Sequence, residues 1–319
     1  MPADRSGRTG RDGALVLGVD LGGTKVRAAI ADSAGDVLAE MTSATDARGG
    51  RHVAEQIAVL ARSLVRTAGA EPESVVAGAV GTPGVPDEES GTLGLSPNLG
   101  GLASVSLRDE LSHRLGYPVV LDNDVTAAAV GERCMGSARG CDDFVFIAVG
   151  TGIGMGIVSG GRLLRGAHGA AGEIGYLPLG TDPFDPANQH RGALEEAAAG
   201  EKVSSRFRGA TGTTVSTREV FDLAAQGMPE AVDVVAEHAR YLALAISAIN
   251  AVLDPELVVL GGGVGSRPEL LGPVRTSLAE LGKDPVEVRT TALGNRASVL
   301  GALNLALSAA GLGPNWEDM

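Results

Sequence analysis

Short apolar runs alternate with turn residues and with longer amphipathic stretches along most of the chain. An apolar run of about six residues bounded by Gly or Asp is typical of a strand, and apolar residues three and four apart are typical of a helix. Pro, Gly and Ser at the borders show where each element begins or ends. The first half is predicted to contain strands at 14–19, 26–31, 36–42, 75–80 and 118–121 and helices at 53–64, 106–115 and 125–135.

The second half repeats this arrangement of a strand, a Gly/Thr turn and a returning strand. Its predicted strands are 143–149, 154–159, 256–260 and 286–290, and its predicted helices are 230–253, 268–281 and 297–310. Two such halves indicate a duplicated α/β fold of two lobes with a central cleft, in which ligands gather at strand carboxyl ends. The prediction divides the chain into a disordered tail (1–12), a small lobe (13–122 with 298–312) and a large lobe (123–297).

The turn at 20–25 has the composition of a phosphate-binding hairpin. Gly22 and Gly23 are expected to supply positive φ angles, and their N–H groups can approach phosphate oxygens. Thr24 can donate a hydrogen bond, and Asp20 can hold Mg²⁺ through water. The alternative interpretation is an ordinary Gly-rich hairpin without a ligand.

Two further glycine loops come at strand ends. Residues 150–154 lack the third glycine of a dinucleotide-binding loop and precede a strand, and residues 261–265 lack that glycine too. We interpret the turns at 20–25 and 150–152 as two hairpins that bind a polyphosphate, and the loop at 261–263 as one that packs under a nucleoside.

A carboxylate is predicted to activate the group that attacks the phosphate. Asp124 follows a strand and begins a helix, and a carboxylate there can accept the proton of an attacking hydroxyl. Capping of the helix is the alternative role, although Asp122 and Asn123 are candidates for that cap. Asn98, Glu173 and Glu195 are loop residues that suit the hydroxyl groups of a polyol, or are simply surface positions.

Composition excludes several other classes of protein. The formal net charge of −13 disfavours nucleic acid as a partner, and two cysteines give no disulfide framework. The first twelve residues are polar and Arg-rich without an apolar core, which indicates a flexible tail rather than a signal peptide. No apolar run approaches the length of a membrane span, so we expect a cytoplasmic protein without a membrane partner.

The chain resembles the bacterial ROK family (repressors, open reading frames and sugar kinases), whose kinases include ATP-dependent glucokinases. The resemblance covers residues 14–311 and rests on the turns at 20–25 and 150–154 and on residues 260–263, which look like the family's two phosphate motifs and its adenosine motif. It implies an actin-like ATPase (ribonuclease H-like) fold, ATP and Mg²⁺ as cofactors, a homodimer, and Asp124 as catalytic base. The implied sugar ligands are Asn98, Asn123, Asp124, Glu173, Tyr176 and Glu195, and the implied ATP-binding residues are Gly22, Gly23, Thr24, Lys25, Thr151, Gly152, Gly261, Gly262 and Gly263.

The chain departs from the family at a zinc-binding loop. The family signature reads E-x-G-H followed by C-x-C-G-x-x-G-C-x-E, but here Tyr176 stands at the histidine and Pro186, Asn188 and Ala193 stand at the cysteines. These side chains cannot form a tetrahedral zinc site, so we expect no structural zinc. His168 and His190 are interpreted as loop residues, and prolines are expected to stiffen the loop instead.

The leading hypothesis is transfer of the γ-phosphate of ATP to a hexose. The resemblance favours glucose and its 6-hydroxyl, with an N-acetylhexosamine or fructose as alternatives. A second hypothesis is a regulatory or non-catalytic sugar-binding protein. The family's repressors carry a winged helix-turn-helix before the sugar-binding part, for which we see no room before Asp20, and a sensor would not need both phosphate hairpins.

Overall fold

The computed structural model describes residues 13–87, 90–94, 106–282 and 286–316. The strands are β1 Leu15–Leu21, β2 Lys25–Asp32, β3 Val37–Ala44, β4 Val75–Thr82, β5 Val85–Pro86, β6 Leu93–Gly94, β7 Val119–Asn123, β8 Phe144–Val149, β9 Ile153–Ser159, β10 Arg162–Leu163, β11 Leu257–Gly261 and β12 Glu287–Thr290. The helices are α1 Gly50–Thr67, α2 Leu107–Leu115, α3 Asp124–Met135, α4 Pro186–Gln189, α5 Ala193–Ala198, α6 Gly200–Thr211, α7 Thr217–Ala225, α8 Pro229–Leu253, α9 Gly262–Gly265, α10 Pro268–Glu280 and α11 Ala297–Ala309. Short 3₁₀ helices lie at Pro72–Ser74, Ile174–Tyr176 and Gly294–Arg296.

The chain forms two compact units. The first comprises the residues up to Cys134 together with those from Arg296 onward, and the second is Met135–Asn295. This boundary lies after α3 rather than between residues 122 and 123, where the sequence predicts it. The difference has a physical reason, because α3 packs tightly against α11 and so stays with the first unit.

The first unit is built on a five-stranded sheet of order β3-β2-β1-β4-β7. The pairs β3–β2 and β2–β1 are antiparallel, whereas β1–β4 and β4–β7 are parallel. β1 is buried on both faces: Leu17 and Val19 belong to a core shared with α1 and α2, and Gly18 faces α11. A Cβ on Gly18 would lie 2.7 Å from the Leu303 backbone, so the glycine lets α11 lie directly on the sheet.

The second unit repeats this topology with order β10-β9-β8-β11-β12. Again the first two pairs are antiparallel and the last two parallel. Its core joins β8, β9 and β11 to helices α5 to α8 and α10, including Phe207 and Phe221. The duplicated sheet predicted from the two apolar patterns is therefore present in both units.

Glycines set the contact between α3 and α11. A Cβ on Gly301 would overlap the carbonyl oxygen of Ala127, and one on Gly131 would overlap that of Ala297. The two helices consequently touch backbone to backbone, which fixes α3 and the polar residues at its N-terminus relative to the sheet.

No helix within the described ranges combines the length and the apolarity needed to cross a membrane.

Candidate active site

The β1–β2 turn is an exposed backbone loop held from one side. The Gly22 N–H donates to Lys25 O (2.9 Å), and Thr45, just after β3, donates its hydroxyl to Gly22 O (2.6 Å) and its N–H to Thr24 O (3.0 Å). Gly23, Thr24 and Lys25 are exposed. Thr45 therefore supports the turn from behind and leaves the opposite side open to a ligand.

The prediction of positive φ angles in this turn was wrong. Neither Gly22 nor Gly23 is among the glycines with positive φ. The requirement at Gly22 is space, because a Cβ there would lie only 3.1 Å from Lys25 O.

Asp20 stands at the carboxyl end of β1 as predicted. It pairs with Arg27 across the antiparallel ladder and with Gly81 across the parallel one. Burial raises the pKa of the Asp20 carboxyl above its ordinary value, and the nearby Ser298 hydroxyl and Arg27 guanidinium oppose that rise. Ser298 Oγ is itself buried, and its geometry toward the carboxylate falls short of a regular hydrogen bond.

This environment suits a hydrated cation. A carboxylate whose charge is only partly compensated is stabilised by a nearby cation, and Mg²⁺ typically takes one or two carboxylates and keeps several waters. In the described part of the chain, no group of three or more His, Cys, Asp and Glu side chains is arranged to hold a metal.

Asp124 and Asp20 lie on either side of Gly81. Asp20 is the ladder partner of Gly81, and a Cβ on Gly81 would lie 3.3 Å from the Asp124 Cα and 2.9 Å from Ser298 Oγ. Because position 81 has no side chain, the starts of α3 and α11 can pack closely against the carboxyl end of β4, beside β1.

Asn123, not Asp124, caps α3. Its Oδ1 accepts hydrogen bonds from Val125 N (2.9 Å) and Thr126 N (3.2 Å), and its Nδ2 donates to Gly84 O (3.0 Å). One Nδ2 hydrogen remains for a ligand, so the predicted role of Asn123 in sugar binding is limited to a single donated bond. Capping by Asn123 means that helix formation does not require the Asp124 carboxylate, which is half-buried.

The β8–β9 turn of the second unit meets two helix starts. Gly150 N donates to Gly152 O (2.9 Å), and Gly200 N, at the start of α6, donates to Gly150 O (2.7 Å). A Cβ on Gly200 would lie 2.9 Å from Val264 of α9, and one on Gly150 would lie 3.9 Å from Gly263 N. The predicted motifs at 150–152 and 261–263 therefore come together, with Gly200 between them.

The three glycines of the 261–263 motif differ in their surroundings. A Cβ on Gly261 would overlap the Phe146 ring, and one on Gly262 would lie 2.5 Å from Val149 O, whereas Gly263 is exposed with nothing within 4 Å. Gly261 is thus needed for packing, and Gly263 is the member open to a ligand.

A cavity of about 310 Å³ extends over the exposed face of α6. Its walls come from α6 and the segment before α7 and carry hydroxyls and both signs of charge. They are Glu201, Lys202, Ser204, Ser205, Arg208, Thr214 and Val215. Because α6 begins at the β8–β9 turn, this polar cavity lies on the same helix as the predicted phosphate site.

Glu195 lies beneath the β8–β9 turn. Its Oε2 accepts the Ile153 N–H (2.9 Å), and its Oε1 accepts Arg191 Nε (2.8 Å). Arg191 also donates to Thr151 O (3.0 Å) and to Glu201. Both carboxylate oxygens of this predicted sugar ligand thus already have partners within the protein.

Glu173 has a contrasting environment. It is half-buried, and within the described residues its carboxylate has no hydrogen-bond donor. Burial raises its pKa, and the neighbouring charge of Glu195 raises it further. A carboxylate in this state is suited to accept hydrogen bonds from ligand hydroxyls.

Tyr176, three residues after Glu173 in the sequence, is about half exposed. Its hydroxyl lies 3.4 Å from His190 O.

The segment at the family's zinc loop is closed by polar side chains. Asp182 O accepts Asn188 Nδ2 (2.9 Å), Asp185 caps α4 by accepting Ala187 N (2.9 Å), and Thr181 Oγ1 donates to Ala193 O (3.0 Å). Asn188 and Ala193, which stand at cysteine positions of the signature, therefore take part in hydrogen bonds that shape this loop.

Several site residues escaped the sequence analysis. Each of four residues contacts a distant part of the chain: Thr45 contacts Gly22, Arg191 contacts Thr151, Gly200 contacts Gly150, and Ser298 lies near Asp20. Local patterns carry no signal for such pairs. Asn98, a predicted sugar ligand, lies outside the described residues.

The chain is similar to sugar kinases in both sequence and structure. A ROK hexokinase from Thermus thermophilus is 37% identical in sequence with a TM-score of 0.78, covering 94% of this chain and all of that one. A ROK family glucokinase from Streptomyces griseus, solved in complex with glucose and AMPPNP, is 29% identical with a TM-score of 0.79, covering 92% of this chain and 99% of the other. An N-acetylmannosamine kinase of Escherichia fergusonii is 33% identical over 83% of this chain and 88% of its own length.

The matches confirm the predicted actin-like ATPase fold. The profile of the ROK family matches residues 16–309, which is most of the sequence. The chain belongs to the ROK family.

Proposed function

We propose that this protein is an ATP-dependent sugar kinase that transfers the γ-phosphate of ATP to a hydroxyl of a hexose, with Asp124 as general base. The kinase class is supported by the hexokinase and glucokinases among its relatives. The observation that carries the assignment of the base is the position of Asp124 at the start of α3, directly after β7, with its Cα 3.3 Å from where a Cβ on Gly81 would lie. Asn123 supplies the cap of that helix.

In this mechanism Asp124 accepts the proton of the attacking hydroxyl. The hydroxyl oxygen forms its bond to the γ-phosphorus as the bond from that phosphorus to the β,γ-bridging oxygen breaks, and ADP leaves. A positioned base contributes about 10²- to 10⁴-fold to such a step. Gly81 lets the backbone of Asp124 pack closely against β4, the strand that pairs with Asp20.

The phosphates would be bound by backbone donors of both turns. We assign this role to residues 22–25 in the first unit and to Thr151, Gly152 and Gly263 in the second. Asp20 would hold Mg²⁺ through water, and the bound ion would neutralise phosphate charge. The polar cavity over α6 is our candidate for the nucleoside.

The sugar class is assigned through Glu173. Its carboxylate lacks a donor within the described residues, and hydroxyl groups of a hexose would supply one. Glucose phosphorylated at its 6-hydroxyl is the first candidate, because a glucokinase is among the structural relatives. An N-acetylhexosamine is the second, because an N-acetylmannosamine kinase is 33% identical.

We also propose that the protein is a cytoplasmic homodimer, that it needs no structural zinc and that it binds no nucleic acid. The hydrogen bonds of Asp182, Asp185 and Thr181 support the zinc-free loop. The net charge of −13 supports the exclusion of nucleic acid.

The test is an ADP-release assay with ATP and a panel of hexoses and N-acetylhexosamines, using protein treated with EDTA and resupplied with Mg²⁺ alone. We expect turnover with one sugar of the panel, and no gain on adding Zn²⁺. Absence of turnover with every sugar, in protein that binds ATP, would contradict the proposal and favour a sugar-binding regulator.

A further inference from the structure

We infer that Arg191 is a positioning residue for the phosphate turn of the second unit: it orients the Thr151–Gly152 peptide and neutralises the carboxylate beneath it. The inference rests on the proposed function only in assuming that this turn binds phosphate. It assigns a role to a residue that no motif in the sequence singles out.

The orientation follows from one hydrogen bond. Arg191 Nη2 donates to Thr151 O at 3.0 Å. In a planar trans peptide the C=O and the following N–H point in opposite directions, so this bond directs the Gly152 N–H away from Arg191. Fixing that donor before a ligand arrives reduces the entropy lost when the ligand binds.

The need for neutralisation follows from the position of Glu195. Its Oε2 lies 2.9 Å from Ile153 N and only 2.5 Å from where a Cβ on Gly152 would be. An uncompensated carboxylate directly beneath a turn that binds a polyphosphate would repel the ligand. The Arg191 guanidinium, 2.8 Å from Glu195 Oε1, offsets that charge.

The geometry requires an arginine rather than any cation. Nε, Nη1 and Nη2 contact three different groups, namely Glu195, Glu201 and the Thr151 carbonyl. A lysine ammonium cannot span all three from one fixed plane. Arg191 is also held by the loop itself, because Gly192 N donates to Asn188 O (3.0 Å) directly after it.

The experiment measures binding without sugar by calorimetry, with two probes, Mg²⁺·AMPPNP and adenosine. Arg191→Met is expected to weaken AMPPNP binding about tenfold or more and adenosine binding less than twofold, since only the former carries phosphate charge. Arg240→Met, which removes an exposed ion pair with Glu280, is the matched control and should bind both as wild type does.

A second substitution tests the charge argument. Adding Glu195→Gln to Arg191→Met removes the uncompensated carboxylate, so part of the AMPPNP affinity should return. Arg191→Lys, a milder change, should give a loss of AMPPNP affinity between those of wild type and Arg191→Met. It replaces Arg191→Met in the experiment if that variant does not fold.

The inference would be overturned if both Arg191 variants bound AMPPNP like wild type, or if adenosine and AMPPNP weakened equally. Turnover of the wild-type protein decides the proposed function separately. A wild-type protein that shows the charge-dependent Arg191 effect but phosphorylates no sugar would refute the kinase assignment and retain the role of Arg191.

Discussion

The two units carry the same sheet but differ at the second-last residue of the first strand, β1 in one unit and β8 in the other. In the first unit Asp20 pairs with Gly81 across the parallel ladder, and in the second unit Ala148 pairs with Gly261 at the matching position. The turns that follow also differ in support. Thr45 holds the first through two neutral hydrogen bonds, whereas the Arg191–Glu195 ion pair holds the second.

This difference suggests a division of labour between two copies of one architecture. The first unit offers carboxylates at the carboxyl end of its sheet. Such groups can bind a cation and can accept the proton of an attacking hydroxyl. The second offers a turn, a helix start and a polar cavity, which suit phosphate and nucleoside. The same sheet topology thus presents two turns whose neighbouring residues differ in chemistry.

The largest expected effect is the loss of turnover when the proposed base of the first unit is removed. Asp124→Asn should lower kcat by about 10³-fold while sugar affinity changes little, because the amide keeps the shape but cannot take the proton. Asp109→Asn, an exposed acid in the first turn of α2, is the control and should retain full activity. Full turnover by the Asp124→Asn variant would show that Asp124 is not the general base.

A second substitution tests how the first unit positions its carboxylate. Gly301→Ala would place a methyl group on the Ala127 carbonyl and separate α3 from α11. We expect a loss of about 3 kcal/mol in unfolding free energy, measured by chemical denaturation. Gly209→Ala, at an exposed position of α6 where a Cβ would meet nothing within 4 Å, should instead add about 0.5–1 kcal/mol. Similar stabilities for the two variants would contradict the tight helix contact.

The smallest expected effect concerns charge in the second unit. The Glu173 pKa is raised by burial and by Glu195, so sugar binding that needs ionised Glu173 should be lost on acidification at a higher pH than an ordinary glutamate would give. Glu195→Gln removes the repulsion, lowers the Glu173 pKa and should move that acid limb to lower pH. The midpoint is read from sugar affinity against pH, with Glu201→Gln as the control, and an unmoved midpoint would contradict the coupling.

Local signals were sufficient to predict the duplicated sheets. Ser106 accepts Asp109 N as the predicted cap of α2, Gly116 ends that helix with φ 80°, and Asp254 ends α8 in a left-handed conformation. Each of these depends on a few adjacent residues, which is why sequence alone revealed them.

The region between β10 and α8 was not predicted beyond single candidate residues. It contains helices α4 to α7, of which α4 and α5 are only four and six residues long. The apolar pattern of such short helices is too brief to recognise. The role of Glu195 was likewise hidden, because its partner Ile153, 42 positions away in the sequence, becomes a neighbour only in the folded chain.

The most direct test of the division of labour is the ADP affinity of Asp20→Asn, measured with and without Mg²⁺ beside wild type. We predict that the variant binds metal-free ADP at least as tightly as wild type does, because one negative charge near the phosphates is removed, and that it loses most of the increase in affinity that Mg²⁺ gives. An equal loss of affinity with and without Mg²⁺ would contradict this prediction, because Asp20 would then support the phosphate turn itself rather than the cation.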